Sequence, residues 1–189
     1  MILLFDMGLP MIMPTMYFMV PALIPIVLIE SVYVARKLRI SFRKTVGSIF
    51  FANLVSTLVG LPFTWGLLFL IQIVTGGTSS YHVSGSVGRI LEVTLQAPWL
   101  LPFGREEFWI FHSAALFLLI PFFFATWFIE YLMVRNRLGA EAAEAEPETD
   151  LAATGRRISS AVRNANLISY GLIALVLILS LIRLAFSMR

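Results

Sequence analysis

Four stretches of this chain run for about 20 residues or more with almost no charge, at roughly 13–35, 46–74, 108–134 and 165–186. A hydrocarbon core about 30 Å thick needs about 20 apolar residues in helical form. Each stretch therefore has the length of a membrane-crossing helix. The charges inside them are few: Glu30 in the first, Glu130 near the end of the third and Arg183 near the end of the fourth. The second holds Gly60, Pro62 and Gly66 near its middle and is long enough to tilt or bend.

Composition agrees with that reading. Of 189 residues, 59% are hydrophobic and 13% charged, and the mean hydropathy is +0.88. Soluble domains run about 45–50% apolar and about 25% charged, and a soluble globule of this size has too little interior for such a surplus. The expected fold class is all-α: an integral membrane four-helix bundle. The net charge of +3 does not point to nucleic acid, because the basic residues flank apolar spans and form no separate patch. There is no Cys, which excludes a disulfide, a thiolate metal site and a cysteine nucleophile.

Sidedness follows from Lys and Arg. Arg36, Lys37, Arg39, Arg43 and Lys44 lie between spans one and two. Arg135, Arg137, Arg156, Arg157 and Arg163 lie between or beside spans three and four. Arg89, Arg105, Arg183 and Arg189 remain for the other face, so ten face four. The excess places both connecting loops in the cytoplasm and both termini outside. The N-terminal MILLFDMGLP has no basic n-region, so span one is expected to be an uncleaved anchor.

The domains expected are a first transmembrane hairpin at 1–75, an extracytoplasmic loop at 76–107 and a second hairpin at 108–189. Within the loop, RILEVTLQAPWLLPF mixes apolar residues with Arg89, Glu92 and Trp99, the pattern of an interfacial segment. The second hairpin carries an acidic cytoplasmic loop at 140–155, with Glu141, Glu144, Glu146, Glu148 and Asp150, expected to be a solvated spacer.

Compared with itself, the chain repeats. At an offset of 100, Pro21 matches Pro121, Glu30 matches Glu130, Val34 matches Val134, and Leu38 matches Leu138. Past the first turn the register becomes 113: Arg43-Lys44 lies over Arg156-Arg157, Ala52-Asn53-Leu54 over Ala165-Asn166-Leu167, and Ser56 over Ser169. The step of 13 residues is close to the length of the acidic insertion. Apolar bias aligns leucines by chance, but it does not place a Glu, a basic pair and an Asn in the same order twice. The expected architecture is two tandem hairpins in the same orientation, related by an axis along the membrane normal.

Depth then pairs the polar residues. Glu30 precedes Arg36 by six residues, about 9 Å, and Asn53 follows Lys44 by nine, about 13 Å. Both sit at similar depth on adjacent helices, so the Asn53 amide is expected to donate to Glu30, and Asn166 to Glu130. Two readings of Glu30, Asn53, Ser56, Glu130, Asn166 and Ser169 stay open. In one they are interhelical polar contacts that set hairpin register. In the other the carboxylates bind a cation or exchange protons on a solute pathway. Arg36, Lys37, Arg43, Lys44, Arg156 and Arg157 form the cytoplasmic basic edge, from which Arg36 or Lys37 could snorkel to the acids. Phe122, Phe123, Phe124, Trp127 and Phe128 form an aromatic stripe that meets lipid or packs a helix.

No catalytic constellation is visible. His82 and His112 belong to no metal-ligand spacing. Glu106 and Glu107 beside His112 fit interfacial solvation better than ligation. GGTSSYHVSGSVG is neither a phosphate loop nor a dinucleotide fingerprint. No cofactor is expected, and the partners expected are the lipid bilayer with protein partners or further copies of the chain. The repeated I-E…A-N-L-x-S hairpin resembles a pattern in small polytopic bacterial membrane proteins to which no activity is attached. That resemblance implies a prokaryotic inner membrane and supplies no catalytic or binding residues. The expected function is a non-enzymatic structural or accessory component of a membrane assembly. The alternative is a small proton- or cation-coupled transporter or channel using Glu30 and Glu130.

Overall fold

In the computed structural model, residues 12–74, 108–147 and 150–187 are described, together with Gly88, Ile90 and Thr94. Most of the segment at 76–107, expected to be an extracytoplasmic loop, lies outside the described residues, including His82, Arg89, Glu92, Trp99, Glu106 and Glu107. Among the described residues four long helices follow one another: α1 (Ile12–Leu38), α2 (Phe42–Val74), α3 (Phe108–Glu144) and α4 (Leu151–Ser187). No strand occurs among the described residues.

Three helices contain stretches long and apolar enough to cross a membrane. They are Phe42–Ile71, His112–Glu144 and Leu151–Phe186, with hydropathies of 2.0, 1.9 and 2.4. Only 6% of the most apolar window of α4 is buried within the protein, so its Leu, Ile and Val side chains face outward. Large apolar residues are exposed on every helix, among them Ile24, Phe63, Phe128 and Val176. Water disfavours such a surface and hydrocarbon does not. Side chains of α1 are described only from Pro21 onward, and its crossing of the membrane belongs to the functional reading below.

The chain divides into two compact units. One comprises Met19–Leu61 and Phe122–Leu172, and the other Met1–Phe18, Pro62–Pro121 and Ile173–Arg189. The first holds the core, where Val27, Val34, Leu38, Ile49, Ala52, Val134, Leu138, Ile158 and Val162 are buried together. Ala142, Ala161 and Ala165 join them, and small residues let helix backbones approach closely where the solvent is lipid. The buried positions follow helical spacing. Glu30, Val34 and Leu38 line one face of α1, and Glu130, Val134 and Leu138 the same face of α3. Thr45, Ser48, Ile49, Ala52, Asn53 and Ser56 of α2 are buried, and so are Ile158, Ala161, Val162, Ala165, Asn166 and Ser169 of α4.

The connections are tighter than the sequence leads one to expect. Only Arg39, Ile40 and Ser41 separate α1 from α2. Arg39 takes a left-handed conformation with φ of 59°, and Ile40 N–H donates to the Ala35 carbonyl at 3.1 Å. That bond closes a Schellman-type end on α1. Thr45 returns both its N–H (3.1 Å) and its hydroxyl (3.0 Å) to the Ser41 carbonyl, which opens α2.

The acidic loop expected at 140–155 is mostly helix. α3 runs on to Glu144 and α4 begins at Leu151. Ala and Glu are strong helix formers, and α3 stops three residues short of Pro147, which cannot continue it. Asp150 caps α4: its carboxylate accepts from Ala153 N–H, and its carbonyl accepts from Thr154 N–H at 2.9 Å. Nor is the segment a free spacer. Glu146 pairs with Arg157 at 2.8 Å and Arg39 at 3.9 Å, and Glu141 with Lys44 at 3.4 Å.

Arg39 is the strained point of this end. A non-glycine residue in the left-handed region costs roughly 1–2 kcal/mol, whereas its exposed pair with Glu146 is worth less than about 1 kcal/mol. Arg39→Gly is therefore expected to raise the melting temperature in detergent, and an unchanged or lower value would contradict this account of the turn.

Candidate functional site

Six polar residues of the core meet in one network. Asn53 Nδ2 on α2 donates to Glu30 Oε2 on α1 at 2.7 Å, and Asn166 Nδ2 on α4 donates to Glu130 Oε2 on α3 at 2.7 Å. The second hydrogen of each amide goes back one turn along its own helix: Asn53 to the Ile49 carbonyl at 3.2 Å, Asn166 to the Val162 carbonyl at 3.1 Å. Both donors of each amide are thus used. This also sets the amide orientation, since the flipped rotamer would turn an oxygen toward two acceptors.

The remaining carboxylate oxygens are served across the hairpins. Ser169 Oγ on α4 donates to Glu30 Oε1 at 2.6 Å, and Ser56 Oγ on α2 donates to Glu130 Oε1 at 3.1 Å. Each acid therefore takes an amide from its own hairpin and a hydroxyl from the other. Each serine has a second acceptor in reach, three residues back on its own helix. Ser56 faces the Asn53 carbonyl at 3.1 Å and Ser169 the Asn166 carbonyl at 3.1 Å. A hydroxyl carries one proton, so Ser169, at 2.6 Å from its acid, commits to the carboxylate. Ser56, equidistant from its two acceptors, divides its proton between them.

All six residues are buried, Glu130 and Asn166 completely at 0% exposure. Neither Arg36 nor Lys37 reaches an acid: among the described residues, no cation pairs with Glu30 or Glu130. The basic edge turns instead to the acidic segment and to solvent. Lys44 and Arg157 pair with Glu141 and Glu146, while Arg43 and Arg156 are exposed. Arg137, beside that edge, lies over the Phe51 ring at 4.1 Å.

Other polar contacts escape sequence reasoning. Thr126 Oγ1 and the Tyr170 hydroxyl lie 2.9 Å apart, and Asn164 Nδ2 donates to the Tyr33 hydroxyl at 3.2 Å. Nothing in the spacing of these residues marks them, because they fall at unmatched positions of the two halves. The aromatic stripe divides: Phe124 and Phe128 are exposed, whereas Phe123 stacks on Trp127 (6.4 Å between centroids) and meets the Tyr170 ring edge-on (5.6 Å). In the other unit, His112 Nε2 and Ser180 Oγ are 2.9 Å apart. Among the described residues no cluster of three metal-ligating side chains occurs. No family model, curated protein or solved structure matches the chain.

Two buried carboxylates served only by neutral donors can hold helices in register or take up a proton or small cation. Loss of a donor leaves a buried acceptor unserved. Interhelical hydrogen bonds in membranes average about 0.6 kcal/mol and reach about 1.7. Ser169→Ala, which removes the shorter cross-hairpin bond, is expected to lower stability by about 1–2 kcal/mol. Ser56→Ala should cost less, since its proton is divided, and Asn53→Leu more, since it takes the amide donor from Glu30 and sets an apolar side chain against that oxygen. Thermal unfolding in detergent gives the order, and a larger loss for Ser56→Ala than for Ser169→Ala would refute the assignment.

Proposed function

We propose that the protein is a non-enzymatic integral membrane protein, a structural or accessory component of a membrane assembly, built as a four-helix bundle from two tandem hairpins of the same orientation. The observation that carries this reading is the reciprocal exchange at the core. Each half supplies the acid, the amide and the hydroxyl, and each acid is completed by the hydroxyl of the other half. Such an arrangement spends the amide and hydroxyl donors of these residues on the two acids and joins the two hairpins through paired contacts.

Duplication is supported by the residue matches and by burial that repeats with them. It is supported as well by the turn. Arg39 adopts the left-handed conformation after Leu38, and the equivalent residue after Leu138 is Gly139, the residue that takes it at least cost. There α3 runs on through Gly139 into the acidic segment. In this reading the insertion turned a cap into helix interior. α1 is the fourth span, the basic ends of the hairpins face the cytoplasm, and both termini lie outside an inner membrane, as the Lys and Arg distribution supports. Protein partners or further copies of the chain complete the assembly.

A second reading is favoured by one observation, the lack of a cation beside either acid. In it the protein is a small proton- or cation-coupled transporter or channel, and Glu30 and Glu130 carry the charge. Proteoliposomes with an entrapped pH or cation reporter separate the two. Under the structural reading, flux equals that of empty vesicles, and native extraction yields the chain within a larger particle. A lone monomer in native extraction defeats it. Under the transport reading, flux is present and falls to background in Glu30→Gln with Glu130→Gln; flux that survives both changes removes their role.

Orientation has its own check. Because the chain has no Cys, single cysteines introduced at Ser80 and Arg43 can be labelled without background. Ser80→Cys should react with an impermeant maleimide on intact spheroplasts, and Arg43→Cys only after the membrane is opened. The reverse pattern would invert the topology.

A further inference from the structure

Beside α1 and α4 lies an open groove of about 680 Å³. Leu28, Ile29, Val32 and Ile168 form its apolar wall, and Arg36, Lys37 and Tyr33 stand at one end. We propose that this groove binds one anionic phospholipid, with its phosphate at Arg36 and Lys37 and an acyl chain along the wall. The proposal rests on the chain lying in a bilayer, and not on whether the buried acids are structural or transport protons.

Dimensions fit first. From Leu28 to Lys37 the groove follows nine helical steps, about 13 Å. One leaflet of a hydrocarbon core about 30 Å thick measures about 15 Å. The wall therefore runs from the charged edge to near the bilayer middle, the path of an acyl chain.

Charge selects the headgroup. Two acids of the acidic segment pair with Lys44, Arg39 and Arg157, and Arg137 is held over Phe51. Arg36 and Lys37 are exposed and have no ion-pair partner among the described residues. A phosphodiester with no cation of its own complements them, whereas a zwitterionic lipid brings a competing ammonium. Tyr33 adds a donor. Its hydroxyl oxygen accepts from Asn164 Nδ2 at 3.2 Å, which leaves its proton for a phosphate or ester oxygen.

The other half supplies an internal control. At the equivalent positions, Arg36 becomes Asn136, Tyr33 becomes Met133, and Lys37 becomes Arg137. Asn164, which holds Tyr33, corresponds to Phe51, which holds Arg137. The equivalent positions of α3 thus lack one cation and the hydroxyl, and the cation they have is engaged by Phe51. Only the α1 side retains the full set of headgroup contacts.

The test uses the full chain, reconstituted with equal phosphatidylglycerol and phosphatidylcholine of matched acyl chains, then released for native mass spectrometry. The parent should retain phosphatidylglycerol in preference. Arg36→Gln with Lys37→Gln should cut that retention roughly tenfold or more, from about 1 kcal/mol per cation near an anionic surface. Arg137→Gln should leave it unchanged, as should the charge-conserving exchange Arg36→Lys with Lys37→Arg. Ile168→Trp, which fills the wall without touching a charge, should reduce retention of the lipid, and serves if the double variant does not fold. Equal retention of both lipids by the parent would overturn the proposal, as would undiminished retention in both the double variant and Ile168→Trp, or an equal loss in Arg137→Gln. So would a dimer that Ile168→Trp dissociates while lipid retention persists, since the groove would then seat a second copy. Alkaline carbonate separates the failures: a chain that leaves the membrane in carbonate defeats the bilayer reading itself, while a chain that stays and shows no headgroup preference defeats the lipid site alone.

Discussion

The structure depends on how two carboxyl groups are served where water is absent. An acid in an apolar interior is costly unless its oxygens meet donors. No single helix pair here supplies enough. Asn53 uses one hydrogen on Glu30 and the other on its own backbone, so the second oxygen of Glu30 needs a donor from elsewhere. Ser169 is that donor, and the complementary need of Glu130 is met by Ser56. Polar contacts, more than apolar burial, distinguish the right helix packing from a slipped one, because Leu against lipid is nearly as well placed as Leu against Leu. The two-hairpin core has one register in which all four carboxylate oxygens are served.

That requirement explains which residues may be small and which may not. Ala52 and Ala165 precede the two asparagines directly and are buried at 0% and 1% exposure. A larger side chain there would push the helices apart and lengthen amide-to-acid contacts of 2.7 Å. The A-N-L-x-S pattern is thus a packing statement as much as a polar one: the Ala brings the backbone close, the Asn reaches the acid beside it, and the Ser, one turn on, reaches the acid of the other half.

Much of this was legible in the chain. Helical class followed from four uncharged stretches, and the level of Glu30 and Asn53 from counting residues to the basic edge; the two atoms stand 2.7 Å apart. The cross-hairpin bonds were not legible, because depth arithmetic orders residues along the membrane normal and says nothing about which face a serine presents to another hairpin. The acidic segment was legible only in part, for a different reason. Its charge density resembles a solvated spacer, but Ala and Glu propagate a helix once α3 is under way. Arg39, Lys44 and Arg157 then give its acids partners that lie far off in sequence. Thr126 with Tyr170, and Tyr33 with Asn164, had no signal at all, since each sits where the two halves have diverged.

In the proposed duplication, divergence is what gives the two halves separate roles. A perfect duplication would give two equivalent outer faces, and the core retains that equivalence because each half completes the site of the other. Ser56 cannot change without weakening the hold on Glu130, nor Ser169 without weakening the hold on Glu30. The outer faces carry no such mutual constraint. There one half has kept Arg36, Lys37 and Tyr33, while the other has Asn136, an Arg137 engaged by Phe51, and Met133. The acidic segment adds to the asymmetry, since Glu141 and Glu146 pair with Lys44, Arg39 and Arg157 and not with Arg36 or Lys37. Electrostatic character at the basic end is therefore set by which cations the acidic helix reaches. Of the exposed cations that no acid pairs with among the described residues, Arg36 and Lys37 are the two that stand beside the apolar wall.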